Sequence, residues 1–299
     1  MSDNYDYAME RRLHELSPKL HKRFTESVFG LQHILSNYLL IFPTFTDHTE
    51  LHSLNVIDFC NRIIGSQLDK LNADEIYCLL MGCYFHDTGM GIRKKDYDEF
   101  FKNIDFGDYF DTHSRDAIPD IIRDFHNEFS GQFLKKYSSL FDIPSEAHLR
   151  AIIQISRGHR KTDLRDEKEY PIALPVSGTN TICLPYLSAL IRLADEIDVA
   201  SGRNLSFLYD SEFLTDEKDI IEFGKHEAIK DVVVYEDKFV LLVAAKDEFV
   251  LNNIKKMSLK MQKTLDECRL AVTGRTPHTI TQNRIELEIT GTDYEDKNS

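Results

Sequence analysis

The 299-residue sequence predicts a mainly α-helical protein that ends in a small α+β module. Up to about residue 204, apolar side chains recur at the three- and four-residue spacing of helices that bury one face. After that point two β-rich runs, a helical run and a third, alternating run follow one another, which predicts the order β-β-α-β. We therefore expect a helical domain over residues 1–204 and a smaller module over residues 205–299.

Helical periodicity divides the first two-thirds of the chain into successive segments. Pro18 and Gly30 are expected to interrupt the first segment, and Pro119 a later one, because both residue types weaken a helix interior. Asn72 or Asp74 is expected to cap the helix that leads into an apolar run ending at residue 85. Besides the segment that ends at residue 85, the predicted helical segments are residues 8–41, 48–65, 112–137, 145–157 and 185–200.

The stretch from residue 160 to residue 182 is polar and is expected to be a loop. It contains Pro171, Pro175 and Gly178, and a loop of this length in a compact domain is often functional. The predicted elements of the C-terminal module are strands at 231–237 and 239–245, a helix at 247–272 and a strand at 285–289.

The composition is that of a globular protein, with 42% hydrophobic and 29% charged residues. No stretch approaches the roughly 20 apolar residues that a membrane span requires. The first residues, Met-Ser-Asp-Asn-Tyr-Asp, lack the basic and apolar regions of a signal peptide. The five cysteines form no CxxC pair and are expected to be reduced core residues rather than a zinc knuckle. These features predict a cytoplasmic protein without a membrane partner.

The formal net charge of −14 argues against broad electrostatic binding to nucleic acid. It leaves room for a local basic pocket that binds phosphate. A chain this acidic that handles phosphate would need metal ions, or clustered Arg and Lys, at the site.

His86-Asp87 lies at the end of the apolar run that starts at Tyr77. Two metal-binding side chains at the end of a buried element are costly unless a positive charge binds them. The glycines that follow, Gly89 and Gly91, are expected to turn the backbone and leave open space above the pair. The sequence therefore indicates a metal site.

Further candidate ligands each follow an apolar stretch: His52, His126, His159 and Asp195. The order of His52, His86-Asp87 and Asp195 resembles that of the HD-domain metal-dependent phosphohydrolase superfamily, over about residues 45–200. The resemblance implies an HD-type, all-helical domain in which these four side chains hold one divalent metal ion.

In members with two metals, further histidines lie between the His-Asp pair and the final Asp. His126 and His159 occupy such positions, as in the similar HD-GYP phosphodiesterases, so the resemblance implies a second ion held by Asp87, His126 and His159. Gly158-His159 and Glu169-Tyr170-Pro171 depart from the paired histidines and the Gly-Tyr-Pro of that branch, which argues against specificity for cyclic di-GMP.

The chain is most similar to the HD branch associated with bacterial conflict systems. Thr46-Asp47-His48 before His52 and Gly89-Met90 after Asp87 carry this finer resemblance. Thr49 departs from the family, because many HD proteins have an arginine at that position.

Imidazole and carboxylate ligands suit Mn, Fe, Co, Ni or Zn ions and, more weakly, Mg. A bound divalent ion lowers the pKa of its water, and two ions can clamp the attacking and leaving oxygens at phosphorus. The phosphoryl charge then needs cationic partners. Besides His86 and Asp87, the expected catalytic side chains are Arg157, Arg160, Lys161 and Arg192.

Several of these residues have simpler interpretations. The basic cluster at 157–161 is also typical of an exposed helix end. For Asp198 we favour a solvated carboxylate over one that orients a ligand. His113 is an alternative second-site ligand, and His48 either faces the substrate, lies on the surface or orients a metal ligand. The aromatic run from Tyr97 to Phe110 fits a hydrophobic cover better than a base-stacking pocket.

His48-Thr-Glu-Leu-His52 is not a zinc protease helix, because such a site needs Glu directly after the first histidine.

We thus expect a phosphohydrolase with one or two divalent ions that cleaves a phosphate ester of a nucleotide or cyclic (di)nucleotide. The alternatives are a catalytically weak HD-fold module that senses a nucleotide, and a nuclease effector, which the net charge disfavours. The expected partner is a small phosphorylated substrate, and a homodimer is compatible with the C-terminal module.

Overall fold

The computed structural model describes residues 7–35, 41, 50–200, 224–225 and 227–290. The motif Thr46-Asp47-His48, the departure at Thr49 and the predicted domain boundary after residue 204 lie outside this part of the chain. The division into two domains therefore stays a prediction.

The described residues are mainly helical, as the sequence predicts, with small sheets toward the C-terminus. The helices are α1 Ala8–Leu16, α2 Pro18–Leu35, α3 Glu50–Ile64, α4 Ala73–Phe85, α5 Lys94–Phe101, α6 Ile118–Tyr137, α7 Glu146–Gly158, α8 Leu184–Ile197 and α9 Glu248–Val272. The strands are β1 Leu174–Ser177, β2 Asn180–Ile182, β3 Ile229–Val234, β4 Lys238–Val243 and β5 Arg284–Ile289.

Helix α4 lies at the centre of the helical part. Asn72 caps it, accepting hydrogen bonds from the backbone N–H groups of Asp74 and Glu75, and the Glu75 side chain bonds back to the Asn72 N–H. Every residue from Asp74 to Phe85 is buried, and α4 packs against α1, α2, α3, α7 and α8. Its C-terminal end therefore delivers His86 and Asp87 into the interior.

One predicted helix interruption is confirmed and two are wrong. The first break falls at Ser17, next to Pro18 as predicted, whereas Gly30 lies inside α2. Pro119 lies in the first turn of α6, where a proline is tolerated because that N–H has no helical partner. The irregularity in α6 occurs instead at Phe125, with φ −123° and ψ 16°.

Residues 160–182 are not wholly a loop, because they contain an antiparallel hairpin of β1 and β2. Its turn uses Gly178 at φ 55°, a conformation that favours glycine. The prolines in this stretch concealed the hairpin at the sequence level. Pro175 can pair here because the sheet has only two strands, so one side of each strand is a free edge.

The C-terminal elements have the predicted β-β-α-β order. Strands β3 and β4 form an antiparallel hairpin, and α9 leads to β5, which lies parallel to β4. Helix α9 packs against α8, and Val232, Phe239 and Leu265 belong to the same buried hydrophobic cluster as the residues of α4. This packing places one face of α9 near the candidate site.

All five cysteines are buried and none is in a disulfide, which confirms their interpretation as core residues. No helix within the described ranges is both long enough and apolar enough to cross a membrane.

Candidate metal centre

Five elements bring six predicted ligands together. Helix α3 carries His52, the end of α4 carries His86 and Asp87, α6 carries His126, the end of α7 carries His159, and α8 carries Asp195. We call these six side chains the His/Asp group. All but Asp195 are buried, and 22% of the Asp195 side chain remains exposed.

One half of the His/Asp group surrounds the Nε2 atoms of His52 and His86, which lie 3.0 Å apart. Asp87 Oδ2 is 3.3 Å from each of these nitrogens. Asp195 Oδ1 is 3.2 Å from His52 Nε2. Two imidazoles and two carboxylates therefore converge on one point.

The other half surrounds the Nε2 atoms of His126 and His159, which lie 2.8 Å apart. Asp87 Oδ1 is 3.2 Å from His126 Nε2 and 3.9 Å from His159 Nε2. Asp87 thus directs one oxygen to each half of the group. This is the arrangement of a carboxylate that bridges two ions.

Hydrogen bonds at Nδ1 fix the orientation of all four rings. Each Nδ1 faces an oxygen that only accepts, so in the neutral ring Nδ1 carries the hydrogen and Nε2 presents its lone pair to the group. The acceptors are an Asp198 carboxylate oxygen for His52 and the backbone carbonyls of Cys83 for His86, Arg123 for His126 and Ser156 for His159.

The donor set and the spacing fit divalent ions. Two Nε2 lone pairs about 3 Å apart need a positive charge between them. In each half of the group three or more potential ligand atoms converge, which is more than a single proton can bind. Atoms 3.0 Å apart subtend about 90° at an ion whose bonds are about 2.1 Å long, so they fit neighbouring coordination positions. The two triads of His52, His86 and Asp87, and of Asp87, His126 and His159, are therefore consistent with a binuclear centre.

Electrostatics within the group favours the protonation states that bind metal. Burial and the neighbouring imidazoles of His126 and His86 lower the pKa of His159 well below its usual value, so this ring is neutral. Burial alone would raise the pKa of Asp195. The hydrogen bond to His52, together with the positive charge that the neighbouring imidazoles carry when they are protonated, outweighs burial and holds the Asp195 pKa well below its usual range.

Gly89 brings α6 up to the end of α4. A Cβ on Gly89 would lie 2.0 Å from the carbonyl oxygen of His126 and 2.7 Å from the backbone nitrogen of Ser130. The Gly89 N–H donates to Ser130 Oγ, which in turn donates to the carbonyl of His86. Gly89 itself therefore leaves room for the backbone of α6, which positions His126, and the open space beside Asp87 is the cavity described below.

Asp198 is not a solvated carboxylate. It is buried, and its Oδ2 lies 2.7 Å from His52 Nδ1. Asn55 Nδ2 donates to the other oxygen of Asp198 at 3.3 Å. The side chain therefore orients a ligand of the His/Asp group, which was the less favoured interpretation. Helix α8 ends at Ile197, and the non-helical backbone of Asp198 redirects its side chain.

The structure separates the expected phosphate-binding residues. Arg157 does not reach the group: its guanidinium pairs with Glu128 at 2.9 and 3.0 Å and with Glu169 at 2.9 Å. Arg192 lines the cavity described below and also donates to the carbonyls of Gly158 and Thr162, which fixes the turn after α7.

Arg160 and Lys161 lie on the cavity wall beside the group. Arg160 Nη1 donates to the carbonyl of Arg123 at 3.2 Å. Lys161 adopts a positive φ of 39°, and its ammonium lies 5.8 Å from the centre of the Phe125 ring.

His113 is exposed, stacks on Tyr109 with ring centres 4.1 Å apart, and is not among the side chains that converge on the group. The aromatic run forms a satellite cluster with Ile121 and Phe129. These contacts support a hydrophobic cover for the aromatic run.

A cavity of about 1040 Å³ opens beside Asp87, His126, His159 and Asp195. Residues of α9 between Asn253 and Ala271 form another part of its wall. The sequence-based assignment of site residues missed this wall, although α9 carries lysines at helical spacing, because it assigned α9 to a separate module.

A comparison with models of known protein families identifies the family of this chain. The model of the HD-CE family, an HD-domain family associated with conflict systems, matches residues 42–269. No curated protein and no solved structure matched the sequence. The matched range includes the whole His/Asp group and most of α9 and covers well over half of the chain. The chain therefore belongs to the HD-CE family of HD-domain proteins.

Proposed function

We propose that this protein is a metal-dependent phosphohydrolase that cleaves a phosphate ester of a nucleotide or cyclic (di)nucleotide. HD-domain proteins are typically metal-dependent phosphohydrolases, which supports the reaction class. The observation that carries the proposal is the position of Asp87, whose two oxygens face two separate histidine pairs.

The donor set of imidazole and carboxylate, without thiolate, suits Mn, Fe, Co, Ni, Zn or, more weakly, Mg ions. His52, His86, Asp87 and Asp195 would hold the first ion, and Asp87, His126 and His159 the second. Bound divalent ions would supply an activated water and Lewis-acid stabilisation of the phosphoryl oxygens.

The protein's own side chains have three tasks in this reaction. Asp198 and the backbone carbonyls hold the imidazoles in the tautomer that presents Nε2 to the group. Asp195, the partly exposed ligand, faces the cavity from which a substrate would enter. Arg160 and Lys161 place positive charge beside the second histidine pair, where phosphoryl oxygens need stabilisation.

The test is Asp87→Ala. Because this carboxylate serves both halves, we expect the variant to lose bound metal at both sites and to lose hydrolysis of bis(4-nitrophenyl) phosphate. Elemental analysis of the purified protein measures the first effect and release of 4-nitrophenol the second. Asp58→Asn, a change at a partly exposed position of α3 where Asp58 pairs with Arg62, is the control and should alter neither.

Three results would change the assignment. Unchanged metal content in Asp87→Ala would contradict the bridging role of this carboxylate. Metal binding together with tight nucleotide binding, but no product with any divalent ion, would instead identify the chain as a nucleotide sensor. Salt-sensitive cleavage of DNA or RNA would support the nuclease alternative.

A further inference from the structure

The cavity beside the His/Asp group is basic in a chain whose net charge is −14. Apart from Asp87 and Asp195, the described residues that line it include three carboxylates, those of Asp163, Glu196 and Glu267. The same part of the chain contributes eight basic side chains to the lining: Arg160, Lys161, Arg165, Arg192, Lys225, Lys256, Lys260 and Lys263. A concave surface with this excess of positive charge attracts anions.

Helix α9 supplies the outer part of this charge. Lys256, Lys260 and Lys263 are spaced four and three residues apart, so they lie along one face of the helix. Like charges at this spacing repel one another, which an anion lying along the face would relieve. The three lysines thus form a basic strip, which we call the lysine strip, on the α9 side of the cavity.

The ion pairs of the lysine strip are open to exchange. Lys260 pairs with Glu196 at 3.0 Å and Lys263 with Glu267 at 3.9 Å, and the two lysine side chains are 71% and 79% exposed. Such exposed ion pairs contribute little to the stability of the fold. Lys256 has no carboxylate partner among the described residues. A phosphate group can therefore replace the existing partners at small cost.

We propose that the lysine strip binds the additional phosphates of a substrate that carries two or more linked phosphate groups, while one phosphate lies at the His/Asp group. This inference rests on the proposed function, because it assigns the substrate class of the same site. The ligand chemistry is a linear oligophosphate, either attached to a nucleoside, where it includes the phosphate ester of the proposed function, or free, where it binds the strip but has no ester bond to cleave. A cavity of about 1040 Å³ is at the upper end of the range for small-molecule sites and accommodates both.

The test compares ligands on the metal-loaded full chain. The probes are adenosine triphosphate, inorganic tripolyphosphate and adenosine monophosphate, and calorimetry gives the Kd of each. The first two are used as methylene-bridged analogues, because the methylene bridges resist hydrolysis. We expect both oligophosphates to bind at least ten-fold more tightly than the monophosphate. Equal affinity of the two would assign recognition to the phosphate chain alone, and tighter binding of the nucleotide would add recognition of the nucleoside.

The variant is Lys256→Gln/Lys260→Gln/Lys263→Gln. We expect it to weaken oligophosphate binding at least ten-fold and monophosphate binding less than three-fold. Lys94→Gln/Lys95→Gln/Lys255→Gln makes the same change in net charge at exposed positions outside the cavity and should change every Kd less than two-fold. Circular dichroism checks that both variants are folded, which the exposure of all six lysines favours.

The inference is overturned if the monophosphate and the oligophosphates bind with equal affinity, or if none of them binds. It is also overturned if the control weakens binding as much as the variant does. Finally, it fails if the variant weakens the binding of RNA but not the binding of oligophosphates. Hydrolysis of bis(4-nitrophenyl) phosphate, which has one phosphate, separates the two proposals. If the variant and the parent bind and hydrolyse alike, only the lysine strip is refuted. If the strip selects oligophosphates but nothing is hydrolysed, the phosphohydrolase proposal fails.

Discussion

The two walls of the cavity are built in opposite ways. One wall is formed by the His/Asp group, and we call it the metal-binding wall. Its short side chains are buried, and a hydrogen bond at Nδ1 fixes each imidazole. On the α9 wall, long lysine side chains are exposed and loosely paired. The first wall is ordered before anything binds, whereas the second can adjust to the anion it meets.

This difference assigns separate tasks to the walls. Chemistry at phosphorus requires ligand positions held within fractions of an ångström, which buried, hydrogen-bonded side chains provide. Attraction of a charged substrate requires only nearby charge, which flexible lysines provide. Changes to the metal-binding wall should therefore affect kcat and metal content, and changes to the α9 wall should affect affinity and its dependence on salt.

The largest effect is expected at Gly89, because the packing there positions the second histidine pair. In Gly89→Ala the new methyl group would lie 2.0 Å from the carbonyl oxygen of His126, so the backbone of α6 must shift. We expect a loss of about 3 kcal/mol or more in unfolding free energy, together with loss of bound metal. Urea denaturation and elemental analysis measure the two effects.

Gly30→Ala is the matched control for that prediction. Gly30 lies within α2, and a Cβ there would meet Phe141 at an ordinary 3.9 Å. Alanine is the better helix former, so this change should leave stability equal or slightly higher. If Gly89→Ala matched Gly30→Ala, the close approach of α6 would not be what holds the pair in place.

An intermediate effect is expected at Asp198, which touches the metal-binding wall without being a proposed ligand. Asp198→Asn keeps the size of the side chain but removes the charge that orients His52. We expect metal affinity to fall about 10- to 100-fold, with a smaller change in thermal stability. Competition with a chelator gives the affinity. The same affinity in Asp198→Asn and the parent would show that His52 is oriented by its packing alone.

The smallest effect on activity is expected from Arg157→Gln, because Arg157 belongs to neither wall. Loss of its bonds to Glu128 and Glu169 should lower stability by about 1–3 kcal/mol and leave kcat/KM unchanged in folded protein. Arg160→Gln should do the reverse, raising KM with little change in melting temperature. If the two variants changed KM equally, Arg160 in the cavity would have no greater part in substrate binding than Arg157 outside it.

The sequence was sufficient for the helical fold, because its elements are set by local periodicity and caps such as Asn72. It was also sufficient to assemble the His/Asp group, since the order of its members is a family property. It could not separate Arg157 from Arg160, three positions apart. The two side chains differ only in which neighbours from α6 and from the segment after α7 reach them in the fold.

Two further features depend on tertiary contacts that no local pattern encodes. Asp198 bonds to a ring 146 positions earlier in the chain. The face of α9 that lines the cavity is selected by its packing against α8, so its lysines look like an ordinary solvated helix face in the sequence.

If both halves of the His/Asp group hold an ion, as proposed, the shared carboxylate of Asp87 would make metal loading a coupled equilibrium. An ion at one histidine pair would withdraw electron density from the oxygen that the other pair uses, and it would also fix that oxygen in place. Whatever factor the first ion applies to the affinity of the second, the second applies to the first. Titration curves of the parent protein should therefore not fit two independent sites.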